Sequence, residues 1–176
     1  MGWQRKLLRV DLTAGTCKSE PLNMEWANAF LGQRGLATKY FAEEVDPKVD
    51  PLSPANKLIF ASGPLTGTMA STGARYSVIT KGPLTGAIAC SNSGGHWGAE
   101  LKMAGWDMVI LEGRSPKPVY LHIENDDAEL VDAEGSVGQD HLGHRTGAQA
   151  QTSGPADARV LHRPRRREPS PLRGRH

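Results

Sequence analysis

Apolar and polar residues alternate over 7–13, which predicts a strand, and Ala14-Gly15-Thr16 predicts a turn into a second short strand ending near Glu20. The two make a hairpin. Asn23 is placed to cap a helix running to about Leu31, with Glu25 in its first turn and Gly32 at its end. A second helix is predicted over 36–44, where Leu36, Tyr40 and Phe41 share one face. Prolines at 47, 51 and 54 impose an extended connection, and 57–61 reads as a buried strand.

The turn sequence Gly-Pro-Leu-Thr-Gly then occurs twice, at 63–67 and 82–86, which predicts two hairpin-like corners in one sheet. Strands are expected at 75–81 and 87–91, on the β-branched residues of the first and the short apolar run of the second. A helix over 95–103 places Trp97, Leu101 and Ala104 together, which is core spacing. Strands at 107–113 and 118–124 are expected to pair as a hairpin, followed by an acidic turn and strand over 124–132. Many short strands with few helices predict an α+β domain built mainly on antiparallel sheet.

A chain of 176 residues with 38% hydrophobic content has the size of about one domain. No stretch approaches the roughly 20 apolar residues of a membrane span. The N-terminus has no signal-type apolar block, so the expected location is cytoplasmic. Cys17 and Cys90 are too few and too far apart for a cluster motif and read as small apolar residues. The formal charge of +2 hides a division: residues 1–135 carry 13 basic and 16 acidic side chains, whereas 136–176 carry eight arginines and three acids. The last 41 residues also lack aromatic residues, Ile, Met and Lys. Such a segment cannot bury enough apolar surface to offset its ordering entropy, so the expected organisation is a domain over 1–135 and a disordered basic tail over 136–176.

The chemistry concentrates in Ser91-Asn92-Ser93-Gly94-Gly95-His96-Trp97-Gly98, a glycine-dense turn running into a helix. Gly94 and Gly95 let backbone amides approach an anionic ligand where a side chain would collide, and the helix N-terminus is expected to add its positive end there. Arg75, at the start of a strand beside glycines, offers a planar guanidinium able to hold a phosphate through two parallel bonds. His96, beside Trp97, reads as a packing or capping residue, and Glu43-Glu44 and Asp126-Asp127 read as solvated charge.

Taken in order, the Gly-Pro-Leu-Thr-Gly turns, Ser71-Thr72-Gly73-Ala74-Arg75-Tyr76, Leu31-Gly32-Gln33-Arg34-Gly35-Leu36-Ala37 and the Ser91–Asp107 stretch resemble the N-terminal domain of the tungsten-containing aldehyde ferredoxin oxidoreductases. The resemblance runs from Trp3 to about Gly135. It implies a saddle of two related β-sheets carrying a tungsten or molybdenum bis-pyranopterin held by pterin sulfurs. It implies Arg75 between pterin and a [4Fe-4S] cluster, Asn92 at the magnesium that bridges the pterin phosphates, and Ser93, Gly94 and Gly95 along the pterin. It further implies aldehyde as substrate, ferredoxin as electron acceptor and a homodimer in the full-length form, with cluster ligands and later domains lying outside this chain. On that expectation the chain by itself is inactive.

Beyond residue 135 the resemblance breaks off. Degenerate codons for Ser136-Val137-Gly138-Gln139, read one base later, permit the family's Leu-Trp-Gly-Lys, and those for 162–168 permit Ile-Gly-Pro-Ala-Gly-Glu-Asn. A frameshift near codon 136 is therefore expected, which makes the arginine-rich tail an accidental translation. The alternative, a nucleic-acid-binding or adaptor protein using that tail, lacks aromatic residues with which to stack bases.

Overall fold

In the computed structural model, residues 2–133 and the backbone of 158–162 are described. The elements run β1 (Lys6–Asp11), β2 (Thr16–Pro21), α1 (Met24–Phe30), α2 (Gln33–Glu44), β3 (Leu58–Ser62), β4 (Tyr76–Lys81), β5 (Ile88–Ser93), α3 (Trp97–Met103), β6 (Met108–Glu112), β7 (Val119–Glu124), β8 (Asp127–Asp132) and β9 (Ala158–His162). Six strands form one sheet in the order β2-β1-β6-β3-β4-β5, and three form a second in the order β8-β7-β9. Pairing is antiparallel except for β1 with β6 and β7 with β9. The expected α+β class holds.

The large sheet is covered on both faces, and the period-2 alternation of its strands decides which side chain goes where. Leu7, Ile59, Ile79, Met108 and Ile110 face α1 and α2, meeting Ala27, Leu36, Ala37, Tyr40 and Phe41. Leu8, Val10, Phe60, Val109 and Leu111 face the other way, onto Trp97, Leu101 and Trp106 and onto Leu121 and Ile123 of the small sheet. Burial on both faces explains why Met108–Glu112 reads as a continuous apolar run without alternation. Asn23 caps α1 as expected, its side chain accepting from the Trp26 amide at 3.0 Å.

Three expectations are corrected. The segments β6 and β7 do not form a hairpin: β6 lies between β1 and β3 in the large sheet, while β7 pairs with β8 and β9. A strand apolar on both sides is satisfied only in a sheet interior, which the hairpin would not supply. Glu44 is not solvated charge either. Its carboxylate takes a two-pronged contact from Arg9 at 2.8 and 2.9 Å and a third from Lys57 at 2.7 Å. Third, α3 begins at Trp97, two residues later than expected, with His96 at the cap position and no side-chain cap bond. The expected disordered tail falls outside the described residues except for 158–162, whose backbone is a strand.

Arg9 also contacts Glu20, and Lys57 contacts Glu112, so five charges tie the end of α2 to β1, β2 and β6. Burial pushes the Glu44 carboxyl up, but the Arg9 and Lys57 bonds outweigh it and leave the group below its ordinary range. Lys57 is the mirror case: burial lowers it, and Glu112 and Glu44 more than reverse that. A depressed carboxylate stabilises the fold above its unfolded value of about 4.3 and loses that contribution as pH falls through the folded value. Acid titration followed by tryptophan fluorescence is therefore expected to place part of the unfolding transition below about pH 4, and Glu44→Gln to shift that part toward neutral pH. An unchanged acid limb in the variant would show the network to be inert.

Candidate functional site

Strand β5 is an edge strand exposed almost throughout, and it ends beside the start of β4, with Ser93 opposite Tyr76 and Gly94-Gly95 following. Between them lies a cleft of about 450 Å³ lined by Gly67, Thr68, Thr72, Gly73, Ala74, Arg75, Gly94, Gly95, Ala99 and Met103. Helix α3 meets the cleft through Ala99, in its first turn, and Met103, four residues on.

What holds these pieces together is aromatic. Trp97 packs on Tyr76 with ring centroids 4.4 Å apart and on Phe60 at 5.3 Å. That contact fixes the first turn of α3 against β4, one residue beyond Arg75. Gly98 makes the approach feasible, because a Cβ there would lie 2.8 Å from the Ala74 carbonyl oxygen. Gly94 is the opposite case. A Cβ at that position would meet no atom within 4 Å, and its φ is not in the left-handed region. The chain's own packing asks nothing of a glycine there, so the open side is available to a ligand. Gly95, at φ 84°, makes the turn.

Of the five residues singled out in the sequence, Arg75, Gly94 and Gly95 line the cleft together. Asn92 stands at its edge: Arg75 Nη1 donates to Asn92 Oδ1 at 2.7 Å, and Asn92 Nδ2 lies 3.5 Å from Ser77 Oγ. Ser93 pairs with Tyr76 in the ladder and is exposed outside the cleft lining. Among the described residues the Arg75 guanidinium makes this one hydrogen bond, which leaves its remaining N–H donors for an anion. His96 and Cys90 are exposed, and no group of three or more His, Cys, Asp and Glu among the described residues is arranged to hold a metal ion.

Sequence reasoning missed two kinds of residue. Thr68 and Thr72 line the cleft and buried Thr66 bonds the Arg75 carbonyl, and a threonine in a turn gives no signal that separates it from an ordinary turn residue. Met103, which lines the cleft, is an exposed apolar side chain, as are Leu65 and Met69 on the neighbouring turn. No helix among the described residues is long and apolar enough to cross a membrane.

The model of the aldehyde ferredoxin oxidoreductase N-terminal domain matches residues 7–161. A tungsten-containing aldehyde ferredoxin oxidoreductase of Pyrococcus abyssi is 59% identical over 132 residues, and its counterpart in Thermococcus kodakarensis is 55% identical over 131. An aliphatic sulfonate oxidoreductase, WOR-like subunit, of Pyrococcus furiosus is 40% identical over 131 residues. The active site complex BamBC of benzoyl coenzyme A reductase, solved with 1,5-dienoyl-CoA, superposes with a TM-score of 0.75 at 41% identity, covering 76% of this chain and 20% of that one. The chain spans about a fifth of the curated relatives, 22% of the first two named, while they cover about three-quarters of it. Matched over most of its length in sequence and in architecture, the chain belongs to the aldehyde ferredoxin oxidoreductase family, in the region of its N-terminal domain.

Proposed function

We propose that this chain supplies part of the cofactor-binding surface of a tungsten pterin oxidoreductase that, in intact form, oxidises aldehydes to carboxylic acids and hands electrons to ferredoxin. The observation that carries it is the cradle beside Arg75: a glycine, Gly94, with no Cβ neighbour within 4 Å, facing a guanidinium with donors to spare. Bare backbone plus a planar cation suits the phosphate end of a flat, anionic cofactor. When bound, the tungsten pterin supplies the two-electron redox chemistry. The chain's own residues bind and orient: Arg75 holds a phosphate, Gly94 and Gly95 give it room, and Met103 lines the cleft on the helix side.

The fit is good for phosphate and poorer for magnesium at the Asn92 side chain. Oδ1 is engaged by Arg75, and a divalent cation at the same oxygen would sit against a guanidinium. A role of the Asn92 side chain at that ion requires its amide oxygen to leave Arg75. The [4Fe-4S] cluster, the aldehyde pocket and a homodimer interface belong, on this proposal, to sequence that the relatives have and this chain does not span.

The frame of 136–176 is part of the same proposal. The family match in the given frame runs to residue 161, and the backbone of Ala158–His162 pairs with β7. The curated relatives, by contrast, align over only 131–132 of the 176 residues, which supports a frameshift near codon 136. Two measurements test the proposal together. Resequencing the DNA across codon 136 and onward through codon 172 is expected to reveal an extra or missing base near codon 136 that restores Leu-Trp-Gly-Lys. Purified from cells supplied with tungstate, the 176-residue chain is expected to show no aldehyde-dependent dye reduction. Turnover by that chain would overturn the division of labour proposed here.

A further inference from the structure

The two copies of Gly-Pro-Leu-Thr-Gly serve different ends. In the second, Thr85 is exposed and merely accepts from the Ala87 amide at 3.3 Å inside a tight hairpin. In the first, Thr66 is 3% exposed, accepts from the Gly63 amide at 2.9 Å and donates to the carbonyl oxygen of Arg75 at 3.2 Å. The same carbonyl takes a second side-chain donor, Gln33 Nε2 at 3.0 Å. Two side chains from distant segments therefore converge on one main-chain oxygen, that of the cleft arginine.

Gln33 reaches that oxygen from an unfavourable backbone. It has φ 46° and Leu31 has φ 63°, two non-glycine residues in the left-handed region within three positions. Gly32 between them is pressed onto the first corner, where a Cβ would lie 2.9 Å from the Ser62 carbonyl oxygen and 3.0 Å from Gly63 Cα. Strain of this kind persists only where surrounding contacts over-determine it, and it collects where geometry serves a site. We infer that Gln33 and Thr66 are positioning residues for Arg75: through its carbonyl they fix the start of β4 and so hold the guanidinium on Asn92 and over the cleft.

This inference rests on the cleft being an anion site, and the experiment separates the two. The 176-residue chain, ¹⁵N-labelled, is observed through the Arg75 guanidinium resonances, which are resolved when a hydrogen bond slows rotation of the group. The same samples are titrated with inorganic pyrophosphate. Thr66→Val and Gln33→Leu are expected to merge the resonances and to weaken pyrophosphate about tenfold, the factor that corresponds to one modest hydrogen-bonding interaction. Thr66→Ser, which keeps the hydroxyl, is expected to restore both. Gln33→Gly removes the donor while relieving the left-handed backbone, so the melting temperature is expected to hold while the resonances merge. A purely structural glutamine would lose stability instead. Should Thr66→Val fail to fold, Gln33→Gly carries the test alone. Resonances that stay resolved in the Gln33 variants overturn the inference, whether or not pyrophosphate binds. Resonances that merge while wild type ignores pyrophosphate uphold the positioning and sink the anion-site proposal.

Discussion

Asp107→Ala is expected to lower the thermal midpoint by roughly 10–20 °C, the shift that about 3–5 kcal/mol produces in a domain of this size. Asp107 and Lys102 form an ion pair whose partners are only 2% and 3% exposed. Water cannot take over for a lost partner at that depth. The second oxygen of Asp107 accepts from the Arg5 amide at 2.7 Å, and its main-chain carbonyl accepts from Ser62 N and Oγ at 2.9 and 3.0 Å. Alanine therefore strands a buried ammonium and a partly buried amide together.

Magnitudes separate the causes. Asp107→Asn keeps one acceptor, for Arg5, but turns an NH2 donor toward Lys102, so it strands the ammonium and not the Arg5 amide, and its loss is expected to be smaller than that of alanine. Asp107→Asn combined with Lys102→Met removes both charges while keeping that acceptor and much of the packed volume. Because the desolvation of a buried pair offsets most of its attraction, the double variant is expected to return to within about 1–2 kcal/mol of wild type. Calorimetry of the three variants checks the order. If the double variant were as unstable as alanine, packing at this point and not the stranded charge would set the loss. The consequence reaches the cleft, because Lys102 follows Leu101 on the helix whose flank carries Ala99 and Met103.

The legible part of this fold is the part encoded within a few residues. Asn23 announces α1 because a cap bonds three residues ahead, and the corner at 82–86 closes β4 on β5 with no help from elsewhere. Trp97, Leu101 and Ala104 reveal their buried face through spacing alone. What stayed hidden depends on partners far along the chain. Nothing near Glu44 announces Arg9, 35 residues away, so its charge read as solvated. The interior place of β6 depends on β1, a hundred residues earlier.

The site divides along the same line. Glycine density pointed to Gly94 and Gly95, and a lone arginine before a strand pointed to Arg75, because both properties are intrinsic to the residue types. That Asn92 would meet Arg75 follows from the β4–β5 register, which sets Ser77 opposite Asn92 and brings the residue before β4 alongside. That Gln33 and Thr66 would meet at the Arg75 carbonyl depends on how α2 docks on the first corner, which no local pattern records.

Arg75 itself sets the second large effect. Arg75→Gln is expected to weaken inorganic pyrophosphate by about 10–100-fold at low salt, since a charge-assisted bond to phosphate is worth about 1.5–3 kcal/mol. Arg75→Lys keeps the charge and loses the planar fork, so it is expected to fall between the two. Asn92→Ala should cost less than Arg75→Gln, because it leaves the guanidinium in place and removes only the bond that holds it. The background is favourable for such a comparison: Arg75 is exposed, so these variants are expected to melt close to wild type, and lost binding can be assigned to the site and not to unfolding. Titration by NMR at two salt concentrations measures the series. Equal affinity in wild type and Arg75→Gln would mean that pyrophosphate is held elsewhere, and the cleft beside Gly94 would need a neutral ligand to explain its open glycine.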